Sequence, residues 1–304
     1  MARRILMGFG VLLLLVFGVV GVRFWRFLQT ETVKIDDRFY VVTGGGGNTA
    51  VLIGDDGVLV VDPKFWSPGR RLPTIIRSLT AKPVTTIINT HYHADHTHGN
   101  ANYPAGAEVI AHRRTRAHLL ARDGGFWEVE PAWSSLPNAQ LDDERQLQFG
   151  DESIRVIHPG RGHTDGDVVV YFSRRRVLHT GDLFVHGIYP VVDRRAGGTA
   201  REWVESLDRV LGLGDTERYI PGHGSLATRA DVERFRDYLR DLVSQVERAV
   251  SHGASLAEVQ RAVDLGAFAD FQGLPFLNSQ AQNVRWVYEE LTHLRAHDGE
   301  TGKD

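Results

Sequence analysis

Thr90-His91-Tyr92-His93-Ala94-Asp95-His96 sets three imidazoles and a carboxylate within six residues, directly after the stretch Val84–Asn89. That stretch is rich in β-branched residues and reads as a buried strand. His91, His93, Asp95 and His96 cannot all be core residues, because chain neighbours point in different directions. In a tight loop after a strand, His91 and His93 turn one way and Asp95 and His96 another. Such a loop offers ligands to two adjacent metal ions. Imidazole and carboxylate without thiolate suit Zn2+, with Mn2+ or Fe also compatible. The 304-residue chain has no cysteine, which excludes disulfides, Cys-ligated metal sites and a Cys nucleophile.

Further His and Asp residues fall where other strands end. Asp62 closes Val58–Asp62. His163 sits in Gly160-Arg161-Gly162-His163-Thr164, after Ile154–Ile157. Asp182 sits in Thr180-Gly181-Asp182, after Val177–His179. His223 sits in Pro221-Gly222-His223-Gly224, after Arg218–Pro221. One edge of the sheets collects them all, and glycine beside the ligands lets backbone approach the site closely. Taken alone, each Asp reads as a turn or cap and each Gly-His as a loop. It is the ordered set that carries the signal.

In that order the motifs resemble the metallo-β-lactamase fold superfamily of metallohydrolases, over roughly Val33 to Arg295. The resemblance implies a four-layer αβ/βα sandwich, an α/β fold of two pseudo-symmetric halves with a dinuclear centre at one sheet edge. It places one ion on His91, His93 and His163, and a second on Asp95, His96 and His223. Asp182 bridges both ions, and Asp62 orients ligands without being one. Two Zn2+ per chain are expected, sharing a hydroxide that attacks a carbonyl carbon, with Asp95 as the catalytic residue that orients the nucleophile or takes its proton. A small ester, thioester, lactone or amide is the implied substrate. Asp at 182 resembles the glyoxalase II (thioesterase-like) and lactonase-like branches. True β-lactamases usually carry Cys or a Ser-like residue there, so β-lactam hydrolysis is an alternative. A mononuclear iron oxidoreductase, such as a persulfide dioxygenase, is a second.

Other residues are weighed less heavily. His98 is either close to the ligands or a helix cap. His186 is a weaker candidate for the pocket wall, and His179 packs behind the sheet. His112 and His158 read as surface or packing residues. Tyr92 packs against the sheet or offers a phenol donor. Trp66, Phe126, Trp127, Trp133, Tyr189 and the loop Gly44–Gly47 are candidates to line the pocket.

The remaining pattern fits one α/β domain at 29–295. Strands are expected at Val33–Val42, Thr49–Ile53, Val58–Asp62, Glu108–Ala111 and Val168–Phe172. Leu72, Ile75, Ile76 and Leu79 mark one helix face. Helices are expected at Thr115–Arg122, after Thr199, at Ala230–Ser251, Ser255–Val263 and Ser279–Arg295. Thr199/Glu202 and Ser255/Glu258 form capping boxes. Residues 123–145 read as a long surface segment and 296–304 as a polar, frayed tail.

The N-terminus, 1–28, reads as a membrane segment. Arg3 and Arg4 precede the apolar run Ile5–Val22, followed by Arg23, Phe24, Trp25, Arg26 and Phe27. As helix, that run reaches about 27 Å, enough to span a bilayer core. The aromatic and basic flank suits an interface. An uncleaved anchor is favoured over a signal peptide, because no Ala-x-Ala site follows. The enzyme domain is then expected outside the cytoplasm, whether anchored, or secreted or periplasmic after cleavage. The net charge of −3 gives no basic excess for a phosphate backbone, so no nucleic acid partner is expected. No protein partner is legible.

Overall fold

A computed structural model describes residues 29–66, 71–103, 105–273 and 278–301. Its first sheet has seven strands in sequential order: β1 (Glu31–Lys34), β2 (Phe39–Thr43), β3 (Thr49–Ile53), β4 (Val58–Val61), β5 (Val84–Ile88), β6 (Glu108–His112) and β7 (Ala139–Leu141). β1 to β4 pair antiparallel, and β4 to β7 parallel. The second sheet runs β12 (Arg218–Pro221), β11 (Val177–Gly181), β10 (Val169–Phe172), β9 (Glu152–Ile157) and β8 (Glu144–Phe149), antiparallel except for the parallel pair β11–β12. Helices α1 (Arg71–Leu79), α2 (Ala94–Thr97), α3 (Arg113–Arg122) and α4 (Gly124–Trp127) belong to the first half. Helices α5 (Ala200–Leu211), α6 (Arg229–Ser251), α7 (Leu256–Ala262) and α8 (Gln280–Thr301) belong to the second.

Strand alternation sorts the core into layers. Phe39 and Val41 of β2 meet Val170 and Phe172 of β10 between the sheets, with the Phe39 and Phe172 rings 4.7 Å apart. Val42, Val51, Val60 and Ile87 face the other way, onto Leu72 and Ile76 of α1. Val169, Tyr171 and Leu178 face outward onto Trp203 and Leu207 of α5 and Phe235 and Leu239 of α6. The result is the helix–sheet–sheet–helix sandwich expected from the motifs. Central strands such as β3 and β4 are buried throughout because both faces are covered.

Several expectations need correction. Val33–Val42 is a hairpin rather than one strand, and Asp36 turns it by accepting the Arg38 amide at 2.7 Å. Residues 123–145 lie largely at the surface, as expected, but they are not without structure. They hold α4, a 3-10 turn at Trp133–Ser135, β7 and the start of β8, and Trp127 is fully buried among Leu119, Ala132 and Leu136. His112 is buried and caps α3, its Nδ1 accepting the Arg114 amide, while its ring stacks on His158. Thr199 caps α5, but the reciprocal partner is Glu290 of α8, which accepts from Thr199 Oγ1 at 2.6 Å and the Ala200 amide at 3.0 Å. Glu202 turns instead to Arg161. The Ser255/Glu258 box is present. Thr228 and Asp231 form another, unforeseen, at the start of α6. α8 runs on to Thr301, past the expected end at Arg295. No helix among the described residues is long and apolar enough to cross a membrane, and the expected span at residues 5–22 lies outside them.

Candidate metal centre

The parallel strands β4, β5, β11 and β12 all end at one edge, and the loops beyond them converge there. Open α/β sheets collect ligands at the carboxyl ends of strands for the same reason. Asp62 follows β4, His91 follows β5, Asp182 follows β11 and His223 follows β12, while His163 enters from the connection between β9 and β10. The approach is close: a Cβ on Gly222 would lie 1.9 Å from Asp182 Oδ1, so only glycine fits beside that carboxylate.

Seven side chains form two groups. His91, His93, His163 and Asp182 make one; Asp95, His96 and His223 make the other, with all donor atoms in each group within 4.8 Å of one another. In the first, His163 Nε2 is 2.9 Å from His93 Nδ1, and Asp182 Oδ2 is 3.9 Å from His91 Nε2 and 3.7 Å from His163 Nε2. In the second, His223 Nε2 is 3.4 Å from His96 Nε2 and 3.2 Å from Asp95 Oδ2. Asp182 Oδ1 faces this group, 3.2 Å from His96 Nε2 and 3.5 Å from His223 Nε2. Asp182 thus turns one oxygen to each group.

The donors fit zinc. A tetrahedral ion held by bonds of about 2.0–2.1 Å spaces its ligands about 3.3–3.4 Å apart, within the range of these separations. His91 Nε2 is fully buried yet has no hydrogen-bond partner, an arrangement that burial alone makes costly. Hydrogen bonds on the far ring nitrogens fix the tautomers. His96 Nδ1 donates to Asp62 Oδ2 at 2.7 Å, His163 Nδ1 to the Val191 carbonyl at 2.7 Å, and His93 Nε2 to Asp193 Oδ2 at 3.1 Å. Thr90 Oγ1 donates to Asp62 Oδ2 at 2.6 Å, so it accepts from His91 Nδ1 at 3.1 Å. Each bond leaves the opposite nitrogen's lone pair aimed into the centre.

Electrostatics follow from burying carboxylates among imidazoles. Burial, reinforced by neighbouring His96, pushes His91 well below the usual histidine range. Burial and His93 push His163 down to about 4. His96 and His223 go the other way: burial opposes their charge, but Asp182 and Asp95 outweigh it. Asp95 and Asp182 are held low by those imidazoles despite burial. Ion binding replaces protons in such a set, so affinity and pH are linked.

The structure brings together every candidate ligand the sequence singled out, and it places Asp62 behind them rather than among them. Asp193 and Lys64 were not foreseen. Asp193 holds His93 and accepts from the Tyr92 hydroxyl, which settles where that phenol goes. Lys64 is buried, and its ammonium donates to the carbonyls of Val42 (2.9 Å), Gly44 (2.7 Å) and Gly47 (2.6 Å), clamping the glycine loop over the centre. Burial pushes it down to about 7 against the pull of Asp95 and Asp62. A lone Lys or Asp in a loop carries no sequence signal for such roles. His98 pairs with Asp123 and stacks on Phe126; His186 pairs with Ser225 rather than a ligand; His179 donates to the Asn48 carbonyl. Trp127 is core, and Tyr189 packs against Tyr238 and Phe271, so neither lines a pocket. A separate groove of about 650 Å3 between α5, α6 and α8 contains none of the ligands.

Residues 42–223 match the family model described as the metallo-beta-lactamase superfamily. The chain belongs to that superfamily. Its members are in general metal-dependent hydrolases, and the His/Asp groups above are where this member can hold metal. Among curated relatives, 2,4-dinitroanisole O-demethylase subunit alpha from Nocardioides sp. (strain JS1661) is 32% identical over 210 residues, covering 68% of this chain and 60% of that protein. The chain therefore spans less than two thirds of that relative's length. Metallo-beta-lactamase type 2 from Bacillus cereus is 27% identical over 202 residues, covering 64% of this chain and 73% of the relative. Among solved structures, the sec-alkylsulfatase Pisa1 from Pseudomonas sp. aligns with TM-score 0.69 at 17% identity, over 86% of this chain and half of its own. A metallo-beta-lactamase from Pontibacter korlensis aligns with TM-score 0.57 at 19% identity, over 70% of this chain and 99% of its own. These likenesses speak for the superfamily fold.

Proposed function

We propose that this superfamily member is a membrane-anchored hydrolase with two adjacent zinc positions, acting on a small ester, thioester, lactone or amide. The single observation that carries the reading is Asp182, which turns one carboxylate oxygen to each donor group. When bound, the ions supply Lewis acidity and a water activated near neutral pH. The chain's own residues do the rest. Four of the five imidazoles have the far ring nitrogen held, His96 by Asp62, His91 by Thr90, His163 by Val191 and His93 by Asp193, and so turn the other nitrogen to the centre. Asp95 sits at its edge, where Oδ2 orients a water or accepts its proton. The glycine loop, pinned by Lys64, packs directly against His96 and Asp95.

Asp182 in the bridging position supports a thioesterase- or lactonase-like substrate over a β-lactam. The relative named for O-demethylation of dinitroanisole adds aryl methyl ethers to the candidates, and the Bacillus cereus relative keeps β-lactams among them. The run Ile5–Val22 anchors the chain, with the enzyme domain outside the cytoplasm.

The test is metal analysis and turnover on the full chain. Two zinc equivalents in the wild type, with loss in His91→Ala and His223→Ala, are expected. Turnover of one class in a panel of thioesters, lactones, esters, β-lactams and aryl methyl ethers, abolished in Asp182→Ala, names the substrate. Full metal retention in both histidine variants would overturn the assignment. One iron equivalent with oxygen uptake would move the protein to oxidoreductase chemistry.

A further inference from the structure

The exposed large hydrophobic side chains among the described residues are Phe65 (40% exposed), Trp66 (47%), Val129 (58%) and Trp133 (53%). They lie on two segments that bear on one 3-10 turn, His98–Asn102, which directly follows the ligands Asp95 and His96. The Gly99 amide of that turn donates to the Lys64 carbonyl at 2.7 Å, and Asn100 Nδ2 donates to the Ser135 carbonyl at 3.2 Å. The exposed apolar groups are therefore gathered around the ligand loop. Scattered apolar residues would need no explanation, but grouped ones mark a contact surface.

Gln29 meets the same place. A Cβ on Gly44 would lie 2.0 Å from the Gln29 carbonyl oxygen, so Gln29 lies against the start of the glycine loop. Further along the loop, a Cβ on Gly46 would touch the Phe65 ring and Asp95, and one on Gly47 would enter the His96 ring. The apolar run Ile5–Val22 ends only a short stretch of sequence before Gln29. A chain of that length reaches at most about 25 Å. A globule of this domain's size is about 45–50 Å across. An anchor on so short a tether cannot pass round the globule, so the face bearing Gln29 is the one held towards the bilayer.

We propose that the rim of Phe65, Trp66, Val129 and Trp133 seats on a lipid surface, so that the metal centre opens towards the bilayer. The inference rests on the anchoring proposed above and goes beyond it, because an anchor alone leaves orientation free. Tryptophan and phenylalanine are suited to the headgroup boundary. Glu128 and Glu130 flank Val129, so the contact is aromatic rather than a basic patch on anionic lipid. Substrates reaching such a centre are amphiphiles held at that boundary.

The absence of cysteine makes the test direct. Trp66→Cys, Trp133→Cys and, at the opposite end of the second sheet, Asp215→Cys are each introduced into the full chain and spin-labelled. Asp215 is 83% exposed. Each protein is reconstituted into phosphatidylcholine vesicles, and label collisions with oxygen and with a water-soluble nickel chelate are compared. The oxygen-to-nickel ratio is expected to rise several-fold at 66 and 133 on vesicle binding and to stay unchanged at 215. Equal, water-like ratios at all three sites in vesicle-bound protein would overturn the orientation while leaving the anchor standing. Protein that does not float with the vesicles would overturn the anchor, and the orientation with it. Protection at 66 and 133 that depends on protein concentration and not on lipid would assign the rim to a second copy and overturn the proposal. Zinc content and turnover are independent of all three outcomes.

Discussion

Gly47→Ala tests whether the glycine loop holds the second donor group in register. The added Cβ would lie 2.2 Å from His96 Cε1, 2.5 Å from Nε2 and 2.6 Å from Nδ1, where ordinary contact begins at 3.4 Å. Relief needs the 1.2 Å between 3.4 and 2.2 Å. The ring cannot yield freely, since its Nδ1 is held by Asp62 at 2.7 Å and the side chain is fully buried. The loop cannot yield either: Gly47 donates to the Asp95 carbonyl at 3.1 Å and accepts from Lys64 at 2.6 Å. Overpacking of this kind costs about 1–3 kcal/mol. A metal bond tolerates about 0.2 Å of displacement, so moving the ring removes a ligand. The expected result is a folded protein that keeps the ion on His91, His93 and His163 but binds the other at least about 100-fold more weakly. Chelator competition followed by elemental analysis reads this, with thermal melts to follow stability at about 2–4 °C per kcal/mol. Gly125→Ala, where nothing lies within 4 Å, is the matched control. If Gly47→Ala holds both ions as tightly as the wild type, the loop is not packed on His96 and the reasoning fails.

Asp193→Ala frees the His93 ring and is expected to weaken metal binding by about 10–100-fold. The same chelator competition measures it, and circular dichroism should show the fold unchanged. Trp127→Ala empties the cluster with Leu119, Ala132 and Leu136 and should cost about 3–5 kcal/mol, seen as a shifted urea midpoint. Burial pushes Asp167 up to about 8, against two bonds from Thr164. Its folded pKa lies above the unfolded one, so its contribution is full below about pH 4 and lost as pH rises towards 8. Wild-type stability relative to Asp167→Asn should therefore fall by about 1.4 kcal/mol per unit between pH 6 and 8, and parallel curves in urea would refute this.

The legibility of this protein was uneven for physical reasons. His91, His93, Asp95 and His96 stand out because four metal-donor side chains in six positions have no packing explanation. The strands stood out where both faces are buried, as in β3 and β4. β8 did not, since its alternating, half-exposed residues lie among acids and turn formers. Trp127 reads as a pocket candidate, because the Leu119, Ala132 and Leu136 that bury it lie close by without a helical or strand period to announce a core. Asp193 is 100 residues from His93, and Glu290 is 91 from Thr199. No local pattern records such pairings. They exist only after the sheets have brought the loops to one edge.

Asp62 has a consequence for how the two positions fill. One carboxylate accepts from His96 directly, and reaches His91 through the Thr90 hydroxyl. Each donor group thus has a histidine leaning on the same carboxylate oxygen, Oδ2. An ion held by one group would polarise its histidine, draw on Asp62, and so alter the basicity of the histidine in the other. Were both groups to hold an ion, as proposed, their affinities would be linked through Asp62. A change at Asp193 detunes one position alone, whereas a change at Asp62 moves both affinities together.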